Sequence, residues 1–440
     1  MYTNKNIIQV SYPIFLGLLA QNIINVTDTA FLGHVGEVEL GASAIGGLYY
    51  ICLFTLAFGF SIGSQILMAR RNGEGDYTAI GTILNQGSIF SFLLAVVLLV
   101  SSLLSARPVM RLMLSSDVIL DASYAFFSIR VWGLLFSFIN VMFRAFYVSI
   151  TRTKVLTLNA IVMAAINVVL DYALIFGKLG LPRMGLEGAA LASVIAEAGS
   201  LVFFLLYTRY AVNRQRYGLT LDLRPRLSIV RHILSVSVFM MIQQFIPLAT
   251  WFVFFLAIEH IGQRELAIAN VVRSIYILVL IPVQALSTTT NTLVSNAMGA
   301  RATDQVPRII KRVAAISLLF SACCALLMVL IPRTMLSVYT SDTALIEAAI
   351  PSLWVIAAAL LVAALGNIYF NGVSGTGNTR PALVIEAAGQ TLYTIYILCT
   401  CWWLQWSVAA CFTCEIVCYA MLFIGSNIYF RYFNWKKAHI

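Results

Sequence analysis

Charged side chains are scarce in this sequence: Asp, Glu, Lys and Arg together make up 10% of its 440 residues. Hydrophobic residues make up 60%, and the mean hydropathy is +0.90. This composition is not expected of a soluble globular protein, whereas it is typical of a helical protein that crosses a membrane many times. The sequence therefore excludes a soluble domain and predicts a multi-pass membrane protein.

The sequence also lacks a motif for nucleoside phosphates. Neither G-x-x-x-x-G-K-[ST] nor G-x-G-x-x-G occurs, so the chain has no site that would drive an ATP-powered pump. A glycine-rich run at 375–380, GTGNTR, resembles a phosphate loop but joins two apolar segments. We interpret it as a tight turn.

Histidine is rare, and the four histidines lie near predicted membrane edges or chain ends: His34, His232, His260 and His439. An intramembrane enzyme would need a nucleophile, metal ligands or paired catalytic acids in a hydrophilic pocket. The sequence does not favour such a pocket. It therefore predicts a protein that is not an enzyme and that needs no cofactor and no resident metal.

The eight cysteines do not form a disulfide framework, because most fall inside apolar runs rather than in paired loops. Cys411, Cys414 and Cys418 have the spacing of a ligand cluster. They lie in a hydrophobic segment without histidine, and the nearest carboxylate is Glu415. We interpret these cysteines as small apolar packing residues.

Apolar segments separated by polar breaks recur along the whole chain, and each is long enough for a membrane-spanning helix of about 20 residues. The first is too long for a removable signal peptide and lacks a small-residue cleavage site, so we expect it to remain as the first span. The sequence predicts an all-α polytopic membrane protein with twelve transmembrane helices, at 8–32, 44–69, 82–106, 122–150, 156–177, 188–210, 232–258, 266–298, 313–331, 347–372, 381–404 and 408–430.

Basic residues are distributed unevenly between the two sets of loops. If the N-terminus is cytoplasmic, the inner segments hold nineteen Lys and Arg residues and the outer loops hold six. This positive-inside asymmetry predicts that both termini are cytoplasmic. The net charge of +10 is then a signal of membrane topology, and we expect no nucleic-acid partner.

An internal repeat divides the chain near its middle. The run that starts at Phe31 aligns without gaps on the run that starts at Ala257, an offset of 226 residues. This alignment pairs His34 with His260, Gly36 with Gly262, Glu39 with Glu265, and Tyr50 with Tyr276. We predict two six-helix lobes related by a pseudo-two-fold repeat, with a cleft between them. The predicted boundaries are 1–210 for the N-terminal lobe, 211–231 for a basic cytoplasmic linker and 232–440 for the C-terminal lobe.

The first apolar segment contains an ionisable side chain well inside the predicted span. Gln21, Asn25 and Asp28 have the i, i+4, i+7 spacing that forms one polar stripe on a helix. A charge at this depth costs about 2.5–3.5 kcal/mol, so it usually has a partner or a function. Pro13 lies in the same segment and can bend the helix by removing a backbone hydrogen bond.

A second deep carboxyl lies in the fifth segment, where Asn167 and Asp171 share a helix face. The repeat offset places Phe254 opposite Asp28, and the run TLYTIY at 391–396, which corresponds to the region of Asp171, has no carboxylate. The two acids are therefore not required by the repeat itself. They could share a proton or, with a hydroxyl from Ser193, bind a small cation such as Na⁺; the sequence leaves both options open.

Other ionisable groups inside the predicted spans are Arg130, Arg144, Glu197, Arg273, Glu386 and Glu415. We expect Arg130, near the start of its helix, to extend its guanidinium towards the interface. Arg144 and Arg273 lie deeper, as ion-pair partners or as residues lining the cleft. Met240 is a further candidate for an adaptable cleft surface, and Asn25, Gln243 and Gln244 are candidates for polar side chains in the same cleft.

The chain resembles the multidrug and toxic compound extrusion (MATE) family. The resemblance rests on P-x(14)-D-T from Pro13, N-x-x-x-D at Asn167, MGLEGAALAS from Met184, and GTGNT at 375–379, together with the repeat. It implies a secondary antiporter of the bacterial cytoplasmic membrane, a monomer, that exports amphipathic and often cationic small molecules in exchange for H⁺ or Na⁺ by alternating access.

The resemblance is greatest to the DNA-damage-inducible-type branch of this family. There the coupling group corresponds to Asp28, Asn167 and Asp171, with Gln21 and Ser193 beside it, and the first helix bends at the position of Pro13. Another branch also uses acids in segments seven and ten, where this sequence has Gln243 and Gln244 in segment seven and only asparagines in segment ten. The resemblance therefore implies coupling in the N-terminal lobe.

The alternative within the same superfamily is a flippase or exporter for a lipid or a lipid-linked saccharide. Such a protein would need several arginines in its cleft to bind pyrophosphate. Only Arg144 and Arg273 are candidates in this sequence. We therefore expect an exporter of small molecules.

Overall fold

The computed structural model of this chain describes residues 3–114, 116–219, 222 and 224–437. Within these residues all regular structure is helical, and twelve helices are long and apolar enough to cross a membrane. The predicted fold class is therefore confirmed. In chain order the helices are α1 Asn4–Val35, α2 Glu37–Glu74, α3 Tyr77–Leu112, α4 Asp117–Ser149, α5 Lys154–Phe176, α6 Leu186–Ala211, α7 Leu227–Ile261, α8 Gln263–Gly299, α9 Thr303–Leu330, α10 Thr343–Gly375, α11 Thr379–Trp403 and α12 Val408–Tyr432.

Most helices extend beyond the predicted spans, because hydropathy marks only their apolar part. α2 continues past its apolar run and ends at Gly75, which adopts the left-handed conformation with φ 81° and stops the helix. One residue later, Asp76 caps α3 by accepting a hydrogen bond from the backbone N–H of Ala79. Adjacent stop and start signals therefore make this connection very short.

Several of the described spans depart from regular α-helix, including α4 and α11. α4 contains a 3₁₀ turn at Val131–Gly133, and α11 ends in a π-helical turn at Leu398–Trp403. A Cβ on Gly133 would meet the carboxylate of Glu197 and the guanidinium of Arg130. Glycine at this position leaves room for those two side chains.

The repeat is visible in local structure. Gly36 is the N-cap residue before α2 and Gly262 is the N-cap residue before α8, with nearly equal φ values of 169° and 167°. In both halves the glutamate three residues later, Glu39 or Glu265, lies over the glycine. The equivalence found in the sequence therefore extends to the backbone and to a side-chain contact.

The GTGNT run forms the tight turn that the sequence predicts between α10 and α11. Gly377 adopts a positive φ of 92°. The hydroxyl of Tyr429 contacts Thr376 Oγ1 at 3.1 Å and accepts a hydrogen bond from Asn378 Nδ2 at 2.6 Å. Ser295 donates to the carbonyl oxygen of Gly375 at 2.8 Å. Polar atoms of this turn are therefore hydrogen-bonded to other residues of the chain.

The described chain packs as two compact units. Unit 1 comprises Met1–Phe15 and Ile242–Ile440, and unit 2 comprises Leu16–Met241. The beginning of α1 therefore belongs to unit 1, where Ile7 is buried in a core formed mainly by α8, α9 and α10. The beginning of α7 belongs to unit 2, where Ser237 donates a hydrogen bond to the carbonyl oxygen of Phe60 at 3.2 Å. The lobe boundaries at the linker stay a prediction.

The linker between α6 and α7 is held against the start of α3, within unit 2. Asn85 Nδ2 donates to the carbonyl oxygen of Asp222 at 2.7 Å, and Gln86 bonds the backbone of Arg224 and Arg226. The backbone N–H of Arg224 and the guanidinium of Arg226 bond the Asp222 carboxylate. These two contacts hold the pKa of Asp222 below its usual value.

Candidate ion-coupling site

The structure brings together the two deep acids of the N-terminal half. Asp28 on α1 and Asp171 on α5 have their carboxyl groups within hydrogen-bonding reach of each other. Asp171 is fully buried, and Asp28 is half-buried. In the described part of the chain, no hydroxyl or amide donates to Asp28 Oδ1 or to either carboxylate oxygen of Asp171. The contact that remains for these oxygens is the one between the two carboxyl groups themselves.

Asn167 lies one helical turn before Asp171 on α5 and is 1% exposed. Neither its amide nitrogen nor its carbonyl oxygen has a hydrogen-bond partner among the described residues. A buried amide without partners costs about 1–3 kcal/mol. Three adjacent polar side chains therefore retain hydrogen-bonding capacity that a proton, a cation or water can use.

The other predicted members of the site lie outside this group of three. Gln21 and Asn25 are exposed, and Ser193 on α6 is half-buried. Among the described contacts, none of these side chains bonds Asp28 or Asp171. Pro13 lies inside α1, as predicted. The coupling role of Gln21 and Ser193 and the hinge role of Pro13 stay predictions.

Arg130 corrects one expectation from the sequence. Its guanidinium does not extend towards the interface but makes a bidentate ion pair with Glu197 on α6, at 2.7 and 2.9 Å. Tyr50 on α2 donates to the same carboxylate at 3.0 Å, and its ring lies 3.7 Å from the Arg130 guanidinium carbon. A buried acid so near in space attracts the guanidinium more strongly than the distant interface does. Arg130 is therefore engaged in a structural ion pair.

Arg144 and Arg273 do not form ion pairs with carboxylates in the part of the chain that the structure describes. Arg144 lies 5.4 Å from the centroid of Phe58 in unit 2. Arg273 lies 5.0 Å from Trp251 and 4.8 Å from Phe255 in unit 1. Aromatic faces therefore stabilise both cations. Of the two roles expected for them, ion pairing is wrong, and the lining of a cleft stays a prediction.

The predicted cleft residues of α7 differ in burial. Gln243 is 2% exposed, and its amide has no partner among the described residues. Gln244 is half-buried. Met240 is 3% exposed, and its backbone lies against Gly59 of α2 within unit 2. Their contact with a substrate stays a prediction.

The C-terminal half contains buried carboxyls that the repeat comparison at 391–396 did not consider. Tyr276 donates to Glu415 on α12 at 3.0 Å, as its repeat partner Tyr50 does to Glu197. Glu386 lies earlier on α11 and is bonded by Gln390. The recurrence of Tyr50 and Tyr276 in the sequence alignment could have indicated the two donors, but the offset does not pair Glu197 with Glu415, so it does not predict the acceptors.

The cysteines near the C-terminus are buried, as we expected of packing residues. Cys411, Cys414 and Cys418 belong to the hydrophobic core of unit 1. Among the described residues, no group of three His, Cys, Asp or Glu side chains has the arrangement of a metal site.

Comparison with known proteins identifies the family of this architecture. The sequence profile of the MatE family matches residues 13–173 and 237–398, once in each half of the repeat. The chain belongs to the MatE family. The resemblance stated from the sequence is thus confirmed at the level of the family, while the DNA-damage-inducible-type branch stays a prediction.

Curated relatives of this MatE protein include three described as "Probable multidrug resistance protein NorM". The Thermotoga maritima protein is 24% identical over 87% of this chain and 82% of its own length. The Pasteurella multocida protein is 22% identical over 91% of this chain and 84% of its own. The Agrobacterium fabrum protein is 27% identical over 49% of this chain. The matched region covers 46% of that relative's own length.

Solved structures share the fold of the chain. One is described as "Crystal structure of MATE in complex with MaD3S", with a TM-score of 0.88 at 17% identity over 97% of this chain and 95% of that one. Another is described as "Outward-facing conformation of a multidrug resistance MATE family transporter of the MOP superfamily", with a TM-score of 0.87 at 18% identity over 97% and 94%. At these identities the likeness establishes the fold of this MatE protein.

Proposed function

We propose that this protein is a secondary active antiporter that exports amphipathic, often cationic small molecules by alternating access, in exchange for an ion bound at Asp28 and Asp171. The names of the relatives, probable multidrug resistance proteins, support drugs as the exported class. A coupling ion needs a site inside the membrane that is charged in one state and neutral in another.

The single observation that carries the proposal is the contact between the Asp28 and Asp171 carboxyls. Two ionised carboxylates have no donor to offer each other, so a hydrogen bond between them requires one proton. When this proton leaves, two like charges face each other in a medium that solvates them poorly. Gain and loss of a proton therefore change the force between α1 and α5.

This geometry favours H⁺ over Na⁺ as the coupling ion. Hard cations such as Mg²⁺ and Ca²⁺ take six or more oxygen ligands, and the group formed by Asp28, Asn167 and Asp171 offers oxygens from three side chains. A shared proton needs only the two carboxyls. If export depends on a Na⁺ gradient, H⁺ is not the coupling ion. The proposal that the protein is an antiporter would still stand.

Transport by the purified protein in liposomes tests the proposal. Uptake of a fluorescent organic cation into vesicles is measured under an imposed pH gradient, an imposed Na⁺ gradient, or neither. We expect transport to follow the pH gradient in the wild type and to be lost in Asp171→Asn. Asp121→Asn is the matched control, because Asp121 is exposed and paired with Arg107. Equal transport under all three conditions would contradict antiport.

A further inference from the structure

A chain of hydrogen bonds connects α11 to α7 within unit 1. Gln390 Nε2 donates to Glu386 Oε1 at 3.0 Å, and Thr250 Oγ1 donates to Gln390 Oε1 at 2.7 Å. All three side chains are at most 9% exposed. Glu386 is therefore a buried carboxyl whose contacts lead to the first helix of the second half.

Glu386 has no cationic partner in the part of the chain that the structure describes, since none of the ion pairs there includes it. The titratable groups closest to it on the packed α12 are Cys418 and Tyr419, neither of which is a cation. Among the described hydrogen bonds, Glu386 is connected to α7 through the neutral side chains of Gln390 and Thr250. A buried carboxylate without a counter-charge is costly, so uptake of a proton stabilises it.

Thr250 has one hydroxyl hydrogen and two acceptors within reach. Gln390 Oε1 lies at 2.7 Å, and the backbone carbonyl oxygen of Pro247 lies at 3.0 Å. When Glu386 is ionised, the NH₂ group of Gln390 must face the carboxylate, so its carbonyl faces Thr250 and receives the hydroxyl hydrogen.

Protonation of Glu386 reverses this order. The carboxylic acid can donate to the Gln390 carbonyl once the amide has rotated, and the NH₂ group then donates to Thr250. The hydroxyl hydrogen of Thr250 is left for the Pro247 carbonyl. The charge on Glu386 therefore decides whether Thr250 is bonded to α11 or to the backbone of its own helix.

Because of Pro247, the acceptor that the Thr250 hydroxyl bonds can affect the bend of α7. Proline has no N–H, so the carbonyl of Gln243 loses its bond within the helix. The backbone near Pro247 is less restrained than elsewhere, and a hydroxyl bond to a carbonyl there can change the local bend. α1, which corresponds to α7 in the repeat, also contains a proline, Pro13.

We propose that Glu386 is a second proton-binding carboxyl and that Gln390 and Thr250 are positioning residues that transmit its charge to the Pro247 segment of α7. The inference deepens the proposed antiport and rests on it for its role in transport. Proton binding by Glu386 is independent of that role and can be measured without any substrate.

Infrared spectroscopy of the purified protein tests the proton site directly. We expect wild-type protein to lose a protonated-carboxyl absorption between about pH 5 and about pH 9, the range open to a buried glutamate. Glu386→Gln should lack the part of this change that comes from Glu386, while the part that comes from the Asp28–Asp171 pair remains. Glu259→Gln, an exposed glutamate at the outer end of α7, is the matched control. If Glu386→Gln titrates as the wild type does, the proposal is overturned.

The pH profile of export tests the connection to α7. Thr250→Val removes the hydroxyl and keeps the shape, while Thr250→Ser keeps the hydroxyl. We expect Glu386→Gln and Thr250→Val to shift the profile in the same way, by about one pH unit, and Thr250→Ser to retain the wild-type profile. A wild-type profile in Thr250→Val overturns the transmission step. If Asp171→Asn also exports normally, the antiport at Asp28 and Asp171 has failed, whatever the infrared result at Glu386.

Discussion

Tyr50 and Tyr276 occupy equivalent positions in the two halves, and each donates its hydroxyl to a buried glutamate at 3.0 Å. The surroundings of the two glutamates differ. Glu197 also binds Arg130, whereas the repeat offset puts Ile356 at the position of Arg130, and Glu415 has Tyr393 as its second donor. A tyrosine–glutamate contact is thus present in both halves, although the offset of 226 does not pair the two glutamates with each other. The described ion pair is present at the N-terminal glutamate and not at Glu415.

The first prediction concerns the paired acids. Asp28→Asn and Asp171→Asn should each abolish drug resistance in whole cells while the protein reaches the membrane in normal amount, because an amide cannot exchange the proton. Resistance is measured as growth against a panel of organic cations. Asp121→Asn should behave as the wild type. Normal resistance in either mutant would show that the pair is not the coupling site.

The second prediction contrasts the two glutamates. Arg130→Ala leaves Glu197 buried without its cation and should destabilise the protein by about 3–5 kcal/mol. Glu415→Gln removes a charge that has no cationic partner among the described residues and should cost about 1 kcal/mol. Unfolding in detergent, followed by thermal denaturation, measures both. An equal effect in the two variants would show that the Arg130 ion pair adds nothing.

The third prediction concerns the space at the 3₁₀ turn of α4. Gly133→Ala should destabilise by about 1–3 kcal/mol, because its Cβ would push apart the Arg130 guanidinium and the Glu197 carboxylate. Gly47→Ala, inside α2 where a Cβ meets nothing within 4 Å, should instead stabilise by about 0.5–1 kcal/mol. The same thermal denaturation compares them, and stabilisation by Gly133→Ala would contradict the packing.

The fourth prediction concerns pH and the linker. The pKa of Asp222 is lowered in the folded protein by its bonds to Arg224 and Arg226, so its contribution to stability is present above the ordinary aspartate pKa of about 3.9. It is lost as pH falls through the lower folded value. The difference in melting temperature between wild type and Asp222→Asn should therefore be present near neutral pH and disappear in strong acid. If the difference in melting temperature between the two proteins grew as the pH fell, the pKa of Asp222 would not be lowered in the folded protein.

The number and order of the spans could be predicted from the sequence, because length and apolarity are local properties. The turn at Gly377 was also predictable, since glycine-rich runs between apolar segments stop helices. The ends of the helices could not be predicted, because the polar turns that extend α2 have the low hydropathy expected of a loop.

The pairing of side chains between helices was predictable only in part. Asp28 and Asp171 were expected to meet because both were unusual in their surroundings. Arg130 and Glu197 are 67 residues apart in the sequence, and nothing local indicates that their helix faces meet. The alignment also considered the wrong level of α11, because Glu386 lies about one to three turns before the positions 391–396 that the offset selects, and it is connected to α7 through Gln390 and Thr250.

The composition of the two units has a consequence for dividing this protein experimentally. A chain cut between 211 and 231 gives one fragment that carries residues 1–15, which complete unit 1, and another that carries the start of α7, which completes unit 2. Neither fragment contains a whole unit, so each would depend on the other to bury its core. Two genes that encode the halves separately should therefore yield stable protein only when they are expressed together.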